Sequence, residues 1–336
     1  MSLPKLTGAV GLFDRTRALL DGRAPVEGFD VDWTSGELES LFSRAFETAE
    51  FDITELSFCN YLIATARGAS PYVALPIFPT RCFRHHAMFV RGAAGIRTPK
   101  DIEGRRVGTR EFTNTVSLVV RGIWSDYYGV DLSKVHWVVG DVDRQERAQV
   151  TAPKLRNGWS IETSGGRFLA DLVAEGGLDA LCAYTPPRTF DGSTVARMFP
   201  DYAAEEQRYW RDTALFPIMH VMVVRRSILE AHPSLAPALM AAFAKARDLA
   251  VADLEIEQAP KVMLPWTPTH LEQTRGVMGH DFWPYGVAAG VGAGDAPENR
   301  RTVETQIGWA HAQGLIDRPV TLDEFFAPGA LQLARC

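Results

Sequence analysis

Between positions 81 and 110 the chain gathers Arg81, Arg84, Arg91, Arg97, Lys100, Arg105, Arg106 and Arg110 against only Asp101 and Glu103, with His85 and His86 in the same stretch. Guanidinium groups donate paired hydrogen bonds that match a carboxylate, so this stretch has the chemistry to hold an acidic ligand. A run of charge is more often a solvated face, and Arg97, Lys100, Arg105 and Arg106 are read that way. His85 and His86 are consecutive, and on a strand their side chains would point to opposite faces, which argues against a shared metal ion. His220 stands alone in the apolar run Ile218 to Val224. Such a histidine is either a hydrogen-bonded core residue or a group placed to move a proton. Trp283 and Tyr285, in DFWPYG, have flat faces able to stack on a ring, or equally to anchor a Pro-rich loop. In the turn EFTNT (111–115), Thr113 and Thr115 either cap the next helix or join its free N–H groups around an anion.

The elements that must position these groups alternate. Leu6 to Phe13 reads as a strand, Asp14 to Asp21 as a short helix, and Glu37 to Thr48 as a helix with apolar residues at helical spacing. Phe51 to Leu56 reads as a strand, Asn60 to Arg67 as a helix, and Tyr72 to Phe78 and Ala87 to Val90 as strands. A surface turn at 98–109 feeds a strand at Arg106 to Thr109. A helix at Thr113 to Tyr128, a strand at His136 to Val139, a helix at Gly165 to Glu175 and a strand at Gly177 to Tyr184 follow. Ile218 to Arg225 is a strong strand, Pro237 to Glu257 a long helix, and Arg300 to Gln313 a helix. Met263 to Pro297 is too rich in Trp, Pro and Gly to be one element, and Ala288 to Ala296 is expected as a surface loop. Alternation of this kind predicts an α/β fold.

Composition narrows the partners. In 336 residues, 35 Lys and Arg meet 41 Asp and Glu, for a net charge of -6. Removing 81–110 leaves 27 cations against 39 acids, so the average conceals a strong local asymmetry that can focus field on an anion. A net acidic chain without basic tails argues against nucleic acid, and the apolar runs fall short of the ~20 residues that span a bilayer, which argues against a membrane partner. The four cysteines show no CxxC pair, and the first fifteen residues lack a signal-peptide core. A cytoplasmic protein with reduced thiols is the expectation.

The strings FDRTRALLDGR (13–23), FDITELSFCNYL (51–62), FPTRCFRHH (78–86), RDTALFPIMH (211–220), DFWPYG (281–286) and DEFFAP (323–328) resemble those of the 4,5-dihydroxyphthalate decarboxylase family, over most of the chain. The segment 140–159 and the link through 288–297 depart from the family pattern. The resemblance implies a two-lobed type II periplasmic-binding-protein-like fold with a central inter-lobe cleft. Lobe 1 would comprise 1–91 and 213–336, and lobe 2 would comprise 92–212. It implies a cofactor-free carboxy-lyase acting on a small aromatic dicarboxylate, and a homo-oligomer. Metal dependence is disfavoured by the lack of spaced His and carboxylate ligands.

Within that family frame Arg81 and Arg84, next to the expected crossover, become candidates for holding a carboxylate, and His85 and His220 for the proton donor, with His86 beside the substrate. Ligands of open α/β sheets bind beyond the carboxyl ends of the strands, which adds Arg15, Thr16, Glu55, Ser57 and Asn60. Glu55 would orient a histidine or the catechol hydroxyls. Two other functions remain open at this level: a non-catalytic solute-binding or sensor protein for an aromatic carboxylate, and a relative of 1,4-dihydroxy-6-naphthoate synthase on the same fold.

Overall fold

The computed structural model describes residues 2–145, 155, 159, 161–287 and 298–333. Most of the divergent stretch at 140–159, and the surface loop expected at Ala288 to Ala296, lie outside the described residues. The strands are β1 (Lys5–Val10), β2 (Asp30–Ser35), β3 (Ile53–Ser57), β4 (Tyr72–Ala74), β5 (Thr80–Arg81), β6 (Met88–Arg91), β7 (Arg106–Thr109), β8 (His136–Val139), β9 (Ile161–Thr163), β10 (Ala180–Cys182), β11 (Val195–Arg197) and β12 (Ile218–Arg225).

They form two sheets in two compact units. Unit 1 comprises Met1–Arg81, Ala214–Glu304 and Val320–Cys336, and unit 2 comprises Cys82–Thr213 and Thr305–Pro319. The expected division assigns 82–91 and 305–319 to lobe 1. They pack with unit 2 because β6 pairs with both β10 and β11, and because Trp309, on the helix Asn299–Ala312, packs on Gly122 and donates to Asp126.

The sheet of unit 1 runs β2-β1-β3-β12-β4, with β5 also on β12. β1, β2 and β3 are parallel, and β12 runs antiparallel to β3, β4 and β5. All five residues of β3 are buried, as expected of a central strand covered on both faces. Because β12 is reversed, its beginning lies at the edge where β1 and β3 end, and this brings residues from distant parts of the chain to one sheet edge. Unit 2 runs β11-β6-β10-β7-β8-β9, with β10, β7, β8 and β9 parallel.

The helix expected from Thr113 begins at Thr115, because Asn114 takes the cap: its Oδ1 accepts the Ser117 N–H at 2.7 Å. The stretch Met263 to Pro297 contains a helix at Thr267–Met278, led in by proline near its first turn. No helix among the described residues is long and apolar enough to cross a membrane.

Gly122 lies inside the helix Thr115–Asp126, where alanine ordinarily stabilises by about 1 kcal/mol. A methyl group there would fall within the indole of Trp309. Gly122→Ala is therefore expected to destabilise the protein by about 1–3 kcal/mol, read by chemical denaturation. A stabilised variant would contradict this packing.

Candidate active site

Four strands, β1, β3, β5 and β12, bring residues to one edge of the unit 1 sheet. Glu55 projects from β3 with only 1% of its surface exposed. A buried carboxylate needs donors, and it has them from three directions. The Gly11 N–H donates to Oε2 at 2.9 Å, the Thr80 hydroxyl donates to Oε1 at 2.8 Å, and His220 Nδ1 lies 2.6 Å from Oε1. Gly11 follows β1, Thr80 opens β5 and His220 lies near the start of β12, so each strand supplies one partner. Gly11 brings its amide this close to the turn without a side chain, and a Cβ there would strike the Phe13 ring. Burial pushes the Glu55 carboxyl up, but the hydrogen bond and charge of His220, with the Gly11 amide and Thr80, outweigh it and hold the group below the usual carboxylate range.

His220 keeps 16% of its side chain exposed. With Nδ1–H held by the carboxylate, Nε2 is the nitrogen available for a proton, and it has no hydrogen-bond partner among the described residues. Phe42 packs edge-on against the ring, 5.0 Å between centroids, and fixes its plane. Ser57, at the end of β3, is the register partner of His220 across the strands. Asn60 follows, half-buried, in the first turn of the helix Phe58–Ala66.

Arg15 enters the same edge from the helix Asp14–Leu20. Its guanidinium lies between the rings of Phe13 (4.3 Å) and Trp283 (4.6 Å), and its Nε donates to the carbonyl of Pro79, the neighbour of Thr80. Nη1 pairs with the exposed Asp14 at 3.1 Å. Trp283 is held in turn by its indole N–H to Phe78 O at 3.1 Å. Arg15 is thus a cation on an aromatic platform, one residue removed from the Glu55 network.

Two other expected groups are committed elsewhere. Arg81 was read as a carboxylate holder, but it is 4% exposed and donates to Asn299 Oδ1 (2.7 Å), Phe216 O (3.0 Å) and Pro284 O (3.4 Å), with the Phe216 ring beneath it. Tyr285 is fully buried against Arg247, so its ring anchors the loop and cannot stack on a ligand.

The remaining candidates belong to unit 2. His85 and His86 are in a 3-10 turn, His85–Ala87, and not on a strand, because β6 starts only at Met88. His85 is fully buried in an aromatic box of Tyr128, Phe199 and Tyr209, and neither ring nitrogen has a partner among the described residues. Burial pushes its imidazole down to about 4, so it sits neutral and shielded, which does not suit a proton donor to a ligand. His86 is partly exposed, with Cys82 Sγ 4.0 Å from Nε2 and Glu206 Oε1 3.1 Å from Nδ1, and these two neighbours push it up to about 9. Arg84 is half-buried at the start of the turn. Thr115 is buried in the first turn of its helix and Thr113 is half-buried before it, with Asn114 between them bonded to Tyr184 at 2.9 Å. Lys100, Arg105 and Arg106 are exposed and paired with Glu103, Asp179 and Glu162, as the solvated-face reading expected. Among the described residues no group of three or more His, Cys, Asp or Glu is gathered as metal ligands would be.

Sequence reasoning passed over Gly11, Thr80, Cys82, Glu206 and Asn114. Asn114 was legible as a preferred capping residue ahead of a helical run. Thr80 and Cys82 flank Arg81 in the string already singled out, but nothing in the string shows which residue they face.

No family model matches the chain. A protein of Comamonas testosteroni curated as 4,5-dihydroxyphthalate decarboxylase is 37% identical over 335 residues, 99% of each chain. A second of that name, from Pseudomonas putida, is 35% identical over 191 residues, covering 56% of this chain and 74% of its own. Among solved structures, a periplasmic sulfonate-binding protein from Methylobacillus flagellatus superposes with a TM-score of 0.54 at 11% identity, covering 98% of this chain and 93% of its own. That likeness shows a periplasmic-binding-protein fold.

The buried, neutral His85 has a measurable consequence. A histidine held at about 4 when folded, against 6.5 ordinarily, favours folding fully above pH 6.5 and loses that contribution as pH falls towards 4. The loss amounts to about 3 kcal/mol. Glu206, His86 and Arg208 are the charged groups that modulate it. His86 acts in the opposite sense and in a higher window, its contribution being lost between 6.5 and about 9. Denaturation of wild type and His85→Phe between pH 4.5 and 6.5 should show a shallower acid slope in the variant, whereas parallel slopes would contradict a neutral, desolvated His85.

Proposed function

The chain belongs to the 4,5-dihydroxyphthalate decarboxylase family, and on that premise we propose that it removes one carboxylate of 4,5-dihydroxyphthalate as carbon dioxide, leaving protocatechuate, with His220 as the proton donor. The likeness to a solute receptor concerns the fold alone, so a purely binding role is not favoured. Phthalate degradation is the setting this activity implies. We propose a cytoplasmic location, and a homo-oligomeric state that enters through the family resemblance only.

The substrate's own electrons supply the driving chemistry. A hydroxyl para to the departing carboxylate raises electron density at the carbon that bears it. A proton added there gives a cationic ring that the same hydroxyl stabilises, and the carbon–carboxylate bond then breaks, its electron pair restoring aromaticity. One proton enters and one carbon dioxide leaves, so the dianion becomes the monoanion of the product.

What carries the assignment of the donor is the Glu55–His220 pair: a buried carboxylate fixes Nδ1–H at 2.6 Å and leaves Nε2 on the exposed side of the ring system to deliver the proton. As Nε2 gives up its proton the imidazole returns to neutral, and the carboxylate beside Nδ1 keeps its tautomer and plane fixed through the cycle. Arg15 is proposed to hold the carboxylate that stays. Its flat guanidinium is already immobilised between Phe13 and Trp283, so little freedom is lost on binding. Ser57 and Asn60 are proposed to meet hydroxyl groups on the ring.

Incubation with 4,5-dihydroxyphthalate should yield carbon dioxide and protocatechuate in equal amounts. Binding without product would favour a receptor. His220→Gln should lower kcat by about 100-fold or more, and Glu55→Gln should lower it less, by about 10-fold, while KM moves little in either. Arg15→Met should act mainly on KM, raising it by about 10-fold or more. His85→Phe should retain turnover, since that ring is sealed within unit 2. Full kcat in His220→Gln would remove it from the proposed role.

A further inference from the structure

A second histidine–carboxylate pair stands in unit 2, and it faces a sulfur. Cys82 is the first residue of that unit, half-buried, and His86 follows four positions later in the turn His85–Ala87. Sγ of Cys82 lies 4.0 Å from His86 Nε2, while His86 Nδ1 lies 3.1 Å from Glu206 Oε1 on the helix Tyr202–Thr213. The same carboxylate oxygen also accepts the His86 backbone N–H at 3.4 Å, Arg197 donates to the His86 carbonyl, and Tyr202 packs against the ring at 5.7 Å. The imidazole is therefore held at its backbone, its plane and its Nδ1, with Nε2 directed at the thiol. Sγ also lies 3.0 Å from the Phe83 carbonyl, and a nucleophile, a base and an orienting carboxylate in succession are the arrangement that activates a cysteine.

The other described thiols are controls built into the chain. Cys59 and Cys182 are buried, and burial pushes the Cys182 thiol up to about 12. Both are shielded from solvent reagents by that burial.

We propose that Cys82 is a nucleophilic thiol whose reactivity is set by His86 and Glu206, and that it is a site of covalent modification by ortho-quinones. The quinone class rests on the function proposed above, since the product there is a catechol and an ortho-quinone is the two-electron oxidised form of a catechol. The sulfur, its proton passed to His86, attacks a ring carbon of the quinone. The carbon–sulfur bond forms and the electron pair of the attacked double bond moves to a carbonyl oxygen, which takes the proton from His86. The hydrogen on the attacked carbon shifts to the second oxygen as the ring becomes aromatic again. Thiol and quinone thus combine into a thioether-linked catechol with no further oxidant.

The test uses the full chain in a Cys336→Ser background. One arm measures alkylation by iodoacetamide and the other addition of preformed 4-methyl-1,2-benzoquinone, each followed by peptide mass mapping. Because the quinone is supplied preformed, the outcome does not depend on whether the protein decarboxylates anything, and a failed decarboxylation assay would leave the thiol result standing. Cys82 should be labelled at least about 10-fold faster than Cys59 or Cys182 with both reagents. Glu206→Gln and His86→Asn should each slow labelling of Cys82 by about 3-fold or more while the circular dichroism spectrum is retained. Equal labelling of the three cysteines, or unchanged Cys82 rates in both variants, would overturn activation by His86 and Glu206. Fast alkylation without quinone addition would overturn the quinone assignment.

Discussion

Glu55 places a negative charge where water scarcely reaches, on the central strand of a sheet, and the edge of unit 1 is organised by the need to meet that charge. An unpaired carboxylate there would cost several kcal/mol or take up a proton. Three partners prevent this, and each constrains a different segment: Gly11 the turn after β1, Thr80 the short β5, and His220 the reversed β12. The antiparallel direction of β12 matters because it brings His220 opposite Ser57, two residues along from the pair Met222 and Glu55, at the edge where the parallel strands end. Remove the carboxylate and the imidazole has no reason to hold one tautomer, while Thr80 and the Arg15 platform joined through Pro79 lose their common anchor.

The histidines of this chain show how environment, more than residue type, decides what an imidazole can do. His220 has a buried ionic partner on one nitrogen and an open side on the other, the arrangement of a proton carrier. His86 also has a carboxylate on Nδ1, but its second nitrogen meets a sulfur. His85, next in sequence to His86, is shut in an aromatic box and kept neutral. Adjacent positions therefore carry opposite charge tendencies, because the 3-10 turn points one ring into the unit and the other along its surface.

Much of the architecture was legible in the sequence where packing leaves a periodic trace. β12, with six of its eight residues buried, was read within a residue of its bounds, and so were β7 and β8. β2 (DVDWTS) is not legible because it is a largely exposed edge strand in which only Val31 and Trp33 are even partly buried, and the helix Tyr202–Thr213 because only Tyr209 and Trp210 are buried among its polar residues. The types of the site residues were also legible: Glu55, His220 and Arg15 were all candidates. Their association was not, since Glu55 and His220 are 165 residues apart and meet only through the register of β12 on β3. Arg81 and Tyr285 show the converse. Their chemistry suggested a site, but burial among backbone carbonyls and apolar rings gives them structural work that spacing does not reveal.

The central claim is that His220, oriented by Glu55, delivers a proton to a ring carbon. Its most direct test needs no carboxylate to leave: the protein is incubated with protocatechuate in deuterium oxide and the ring hydrogens are followed by proton NMR. An acid held at that carbon should wash deuterium into the one position ortho to the carboxylate and para to a hydroxyl, faster than in buffer alone, with the exchange lost in His220→Gln. Exchange that persists undiminished in His220→Gln would contradict the account, because another group would then be supplying the proton.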